Sequence, residues 1–113
     1  MIYLTQLVYL RPGEEDAFHE FEDVVLPLIP KYGGELLLRL RPRTDCMVQA
    51  SIELPYELHF LRFESAEALA RYGCDEDRQR VIQLKDRSVR ATLVVQGTLA
   101  EAAAPPTTKP GAA

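Results

Sequence analysis

With 113 residues, 47% hydrophobic and 27% charged, the chain has the size and composition of one ordinary globular domain. Its formal charge of −4 gives it no basic face for DNA or RNA, so nucleic acid is not an expected partner. No apolar run approaches the roughly 20 residues that span a bilayer, and residues 1–10 lack the features of a signal peptide. No membrane association is expected, and the cytoplasm is the expected location.

Residues 2–10 are short, β-branched and aromatic, and Arg11-Pro12-Gly13 ends them, so they predict a strand. From Glu14 the period becomes helical: Phe18, Phe21, Val25 and Leu28 form an apolar stripe. Glu15, Asp16, Glu20, Glu22 and Asp23 are expected mostly on the opposite face. Pro27 should kink this helix, Pro30 should end it, and Tyr32-Gly33-Gly34 supplies the glycine that helix C-caps favour. Residues 35–41 predict a second strand closed by Pro42. In residues 43–55, Val48, Ala50, Ile52 and Leu54 alternate with polar neighbours as an edge or hairpin strand would. Residues 56–63 predict the next strand. Ser65 is placed to cap a helix whose inner residues are expected to be Ala66, Leu69, Ala70 and Tyr72. Gly73 interrupts it, and a further helical stretch over 75–84 should turn Val81 and Leu84 inward. Residues 89–99 predict the last strand. The Ala/Pro-rich tail, 100–113, cannot bury enough surface to order itself and is expected to be disordered.

The order β-α-β-β-α-β is the split βαβ pattern of α+β, ferredoxin-like domains, here over residues 1–99: a four-stranded antiparallel sheet with both helices on one face. The uncovered face should then be polar. It is not. The first strand sets Tyr3, Leu7 and Tyr9 against Ile2, Leu4, Val8 and Leu10. The strand at 56–63 opposes Leu58 and Phe60 to Leu61 and Phe63, and the last opposes Leu93, Val95 and Leu99 to Val94. Strands apolar on both faces call for a covering partner, and a second copy of the chain is the expected one.

The run Tyr32-Gly33-Gly34-Glu35-Leu36-Leu37-Leu38-Arg39 resembles the glycine-pair-and-strand signature of the DUF1330 family. Leu61-Arg62-Phe63-Glu64-Ser65-Ala66-Glu67-Ala68 is similar to that family's entry into its second helix. The resemblance covers roughly residues 2–98 and implies a dimeric α+β barrel, in which the sheets of two ferredoxin-like protomers pack back to back. Relatives in that superfamily include cofactor-independent monooxygenases, muconolactone isomerases and stress-responsive barrel proteins. The chain departs from the pattern at residues 71–78, in its lack of tryptophan and in its longer 43–55 segment.

No catalytic motif stands out, and the candidate residues are single ones. By alternation His59 shares a face with Leu61 and Phe63, the face expected to meet the helices. A histidine beside a cleft there could serve as a general base, or could be a half-buried structural residue. Arg39 and Arg41 could clamp a carboxylate of a ligand, or pair with Glu57, Glu35 or an acid of the partner chain. Tyr3, Tyr9 and Gln6 run along the central strand, where a phenol could bind a ligand oxygen or complete the core. His19 lies among acids and is expected on the surface. Arg62, on the opposite face from His59, would need an acidic partner if that face is an interface. Cys46 and Cys74 fit no metal or redox spacing and are expected as free thiols; no metal or cofactor is expected. Three functional readings follow. The leading one is a dimeric barrel protein that binds a small, partly apolar organic ligand between sheet and helices. The second is a cofactor-independent monooxygenase or isomerase with His59 as base, and the third is a non-catalytic accessory subunit.

Overall fold

The computed structural model describes residues 1–99; the tail at 100–113 lies outside the described residues. Four strands, β1 (Ile2–Leu10), β2 (Gly34–Leu40), β3 (Glu57–Phe63) and β4 (Val89–Gly97), form one sheet in the order β2-β3-β1-β4. All three pairings are antiparallel. Between the strands lie α1 (Glu15–Val25) and three shorter helices, α2 (Ala66–Gly73), α3 (Glu76–Arg80) and α4 (Ile82–Ser88).

The helix α1 buries Ala17, Phe18, Phe21, Glu22 and Val25. It ends sooner than the apolar stripe suggests and continues as a 3₁₀ segment, Leu26–Tyr32. The cause is Pro27 and Pro30, whose missing N–H groups cannot close the α-helical bonds of that turn. Gly33, at φ 72°, reverses the chain in the left-handed conformation that favours glycine. Gly34 then enters β2 so closely that an added Cβ would lie 2.6 Å from Ile29 Cγ2 and 2.6 Å from Phe63 Cε1. Phe63 is completely buried, so neither atom can retreat cheaply. Gly34→Ala is therefore expected to destabilise the fold by about 1–3 kcal/mol, read from chemical denaturation; an unchanged midpoint would refute this account of the contact.

The core lies on the helix face of the sheet, where Leu4, Leu61 and Phe63 pack against Ile29 and Ala68. Ser65 caps α2 by accepting from the Ala68 N–H at 3.1 Å. The inner residues of α2 are Ala68, Leu69 and Tyr72; Ala66 and Ala70 are exposed, contrary to the sequence-based expectation. The helical stretch after Gly73 is two short helices, broken at Val81. Asp75 caps the first of them and is buried, accepting from the Arg78 N–H and from the Tyr32 hydroxyl.

Residues 47–56 form no strand. Their alternation has the right period, but Pro42 and Pro55 bracket them and no strand stands beside them to pair with. The segment passes the end of β1 instead, where Glu53 takes the Tyr9 hydroxyl on its carbonyl (2.9 Å) and Arg90 on its carboxylate (2.6 Å).

The second departure is in β2. Leu36 faces Leu61, but Leu38 faces Phe60, so β2 carries one extra residue at Leu37. This bulge turns Leu38 and Leu40 to the open face and brings Arg39 opposite His59 on the helix face. The open face therefore carries Tyr3, Leu7, Leu38, Leu40, Leu58, Phe60, Leu93 and Val95. Leu93 is 49% and Val95 66% exposed. Tyr3 and Phe60 stack there at 5.9 Å, and Arg62 pairs with Glu35 at 2.9 Å.

Candidate functional site

The same alternation that buries Leu61 and Phe63 buries Glu57 and His59, at 0% and 5% exposure. Across from them α1 presents Glu22, 2% exposed. The three side chains meet: His59 Nε2 donates to Glu57 Oε2 at 2.5 Å and to Glu22 Oε2 at 3.0 Å. Its Nδ1 lies 3.3 Å from Gln6 Oε1, on the neighbouring strand. Arg39 closes the cluster, donating from Nη2 to Glu22 at 2.9 Å and from Nε to Glu57 at 3.2 Å. Arg41 adds a bond to the other oxygen of Glu57 at 3.0 Å.

The electrostatics follow from burial set against this pairing. Burial alone would lower the His59 pKa, but the hydrogen bonds and charges of Glu22 and Glu57 raise it from 6.5 to about 9. Burial would raise Glu57, yet the donors around it hold its carboxyl well below the usual carboxylate range. For Glu22 burial prevails: with the Glu57 carboxylate beside it, its pKa lies above the ordinary value, although His59 and Arg39 pull it down. Near pH 7 His59 is thus an imidazolium with acceptors at both ring nitrogens, able to give a proton rather than take one. Of the two glutamates Glu22 holds a proton more tightly, because burial and the Glu57 carboxylate raise its pKa while Glu57 is depressed.

Glu22, Glu57 and His59 also bring three ligating atoms within 4.8 Å of one another. A divalent ion could use that set only if His59 gave up its Nε2 proton, and the Arg39 guanidinium already engages both carboxylates.

Beside the cluster lies a cavity of about 390 Å³ between the sheet and the helices. Its lining is mostly apolar, with Leu4, Val8, Phe18, Phe21, Leu26 and Leu69 among its walls. Gln6, Glu22 and His59 form one polar region, and Tyr72, Arg78 and Lys85, all from the helical layer, form another. Of the residues singled out from sequence, His59 and Gln6 line this cavity. Arg39 does not: its charge is spent on Glu22 and Glu57, and with Arg41 it borders a separate, more open hollow. Tyr3 and Tyr9 sit on the opposite face of the sheet, one stacked on Phe60 and the other tied to Glu53. Odd positions of β1 point away from the helices, so neither phenol can reach a ligand in this cavity. His19 is half-buried rather than free on the surface, bonded to the Tyr56 hydroxyl at 2.5 Å. Cys46 and Cys74 are free and exposed.

The pairing of Arg39 and Arg41 with Glu57 is one of the expected alternatives, whereas Glu22 escapes a sequence reading that sorts residues by polarity. Glu22 is four residues after Phe18 and three before Val25, the spacing of the buried stripe itself. Glu57 is two before His59 on the same strand face.

Comparison with solved structures places this architecture among known ones. A protein of unknown function from Rhodopseudomonas palustris superposes with a TM-score of 0.76, at 14% identity over 88% of this chain and 82% of that one. A dimeric ferredoxin-like protein of unknown function from Jannaschia gives 0.64, at 22% identity over 87% and 98%. The fold is ferredoxin-like. An uncharacterized NIPSNAP domain protein from Burkholderia xenovorans is similar too, at 0.66 and 14% identity over 93% and 100%. No family model matches the sequence, so the resemblance to DUF1330 is not carried beyond the fold. No curated protein matches it either. Among the described residues no helix is long and apolar enough to cross a membrane.

Proposed function

We propose that the protein is a homodimer of the α+β-barrel type, DUF1330-like in its glycine-pair entry to β2, whose protomers each bind a small organic molecule between sheet and helices. The observation that carries the ligand reading is the cavity itself: about 390 Å³, largely apolar, with a buried carboxylate–imidazolium pair in its wall. Apolar pockets with a few convergent polar groups and perturbed ionisable residues are where ligands are held. Support for pairing comes from the open face, where Leu38, Leu40, Leu93 and Val95 are exposed together. Arg62 already has its acid, Glu35, on that face, so pairing would leave no uncompensated charge at this position.

Native mass spectrometry tests both halves. The expected species is a dimer carrying a small organic mass, and Val95→Glu, which puts a carboxylate in the apolar face, should convert it to monomer. A monomeric wild type would end the pairing. A bare dimer that no small molecule stabilises against heat would favour the accessory-subunit reading.

A second reading, a cofactor-independent isomerase or monooxygenase, is favoured by the Glu22–His59 pair. In it Glu22, not His59, removes a proton from the ligand, and the His59 imidazolium donates to the developing oxyanion. Glu22→Gln would then abolish turnover while leaving ligand affinity nearly intact; retained turnover excludes this role.

A further inference from the structure

Two cations that line the cavity have no acidic partner among the described residues. Arg78, from α3, lays its guanidinium over the rings of Phe21 and Tyr72, 5.6 and 5.3 Å from their centroids. One terminal nitrogen donates weakly to the Gly73 carbonyl at 3.4 Å, and its Nε is buried with no acceptor at all. Lys85, from α4, faces the same space. Burial, and then the charge of Arg78, hold its ammonium below the usual lysine range, and its chain neighbour Asp86 acts only weakly the other way.

The acids at the start of α3 are committed elsewhere. Asp75 takes Tyr32, Lys31 and the Arg78 backbone N–H, and Asp77 takes Arg80. Glu22, across the cavity, is held by Arg39 and His59. A guanidinium with no acid beside it and a partly desolvated ammonium, both lining one mostly apolar cavity, are costly to maintain without an anion to complete them.

Resting on the ligand-binding reading above and narrowing it, we infer that the ligand is an organic monocarboxylate, its carboxylate held between Arg78 and Lys85. Its apolar body lies along Phe21, Leu26 and Leu69, and its far end reaches the Glu22–His59 pair. One carboxylate presents two oxygens, matching one free guanidinium edge and one ammonium. A phosphate dianion would bring more charge and more acceptors into a mostly apolar space than these two donors satisfy.

The test uses octanoate and its uncharged counterpart, 1-octanol, as probes, titrated calorimetrically into the intact protein. Octanoate should bind the wild type, and Lys85→Met should weaken it about tenfold while leaving 1-octanol within about twofold. Arg78→Gln should act in the same direction; because Arg78 also packs on two rings, the methylene-preserving Lys85→Met variant is the one that decides. Equal effects of Lys85→Met on both probes, or none on octanoate, overturn the inference. If 1-octanol binds and octanoate does not, the carboxylate is wrong and the cavity reading stands. If neither binds, both fall.

Discussion

Replacing Glu57 by alanine is expected to destabilise the protein by about 3–5 kcal/mol at pH 7, the range found when one partner of a buried ion pair is removed. Glu57 is fully buried and accepts from three cations: His59 at 2.5 Å, Arg41 at 3.0 Å and Arg39 at 3.2 Å. The arginine side chains are 37% and 50% exposed, and water can take up part of what they lose. His59 has no such recourse at 5% exposure. Most of the loss should therefore come from stranding its imidazolium against Glu22 alone, and adding His59→Leu to the alanine variant should recover part of it. Urea denaturation of the four proteins in that cycle measures the coupling directly. A loss below about 1 kcal/mol for Glu57→Ala, or strict additivity with His59→Leu, would show that the cluster is not the unit described above.

How far the sequence could lead to this cluster depends on which signal each residue carries. Strict alternation in β3 turns His59 inward with Leu61 and Phe63, and nothing in that strand disturbs the count. In β2 three consecutive leucines satisfy either face, so periodicity cannot register the extra residue at Leu37. That bulge decides where Arg39 goes, and with it the closure of the cluster. Glu22 is hidden differently. Its spacing from Phe18 and Val25 is that of the core, but a carboxylate is assigned to solvent by type unless its partners are known, and those partners lie on strands 17 and 37 residues away. Burial of a charge is a tertiary decision.

The segment before β3 makes the complementary case. Val48, Ala50, Ile52 and Leu54 have the period of a strand, yet a strand exists only where a neighbour supplies the ladder, and none of the described strands does. The open sheet face follows from the same logic with the opposite result. There the apolar residues of β1, β3 and β4 pair in unbroken register up to Tyr9, and their two-sided pattern survives folding as an exposed surface. Sequence therefore located the exposed apolar face better than it located the groups that line the cavity. Arg78 and Lys85 illustrate the gap, since nothing in the spacing of their short, highly charged helices marks either as a cavity residue.

Stability should fall as pH rises from about 6.5 to 9, and His59 should be the cause. Its folded-state pKa is raised from 6.5 to about 9, so the folded protein binds the proton more tightly than the unfolded chain. A group raised in this way contributes its full stabilisation below 6.5 and loses it as pH climbs through 9. The displacement is worth roughly 3 kcal/mol, enough to lower Tm by more than about 10 °C in a domain of this size. Glu22, also raised, begins to lose its contribution from about 4.5 upward and acts in the same sense. Glu57 is depressed, so its contribution is present above 4.5 and fades below it. The two glutamates therefore oppose each other on the acid side, and the alkaline decline belongs mainly to the histidine. His59→Gln, which cannot titrate, should flatten the Tm profile between pH 6.5 and 9 whatever it does to the absolute Tm. In the wild type the His59 ring resonances should titrate with a midpoint near 9. A midpoint at 6.5, or a decline that persists in His59→Gln, would mean that the two carboxylates do not hold the imidazolium, and the proton-donor role built on it would go as well.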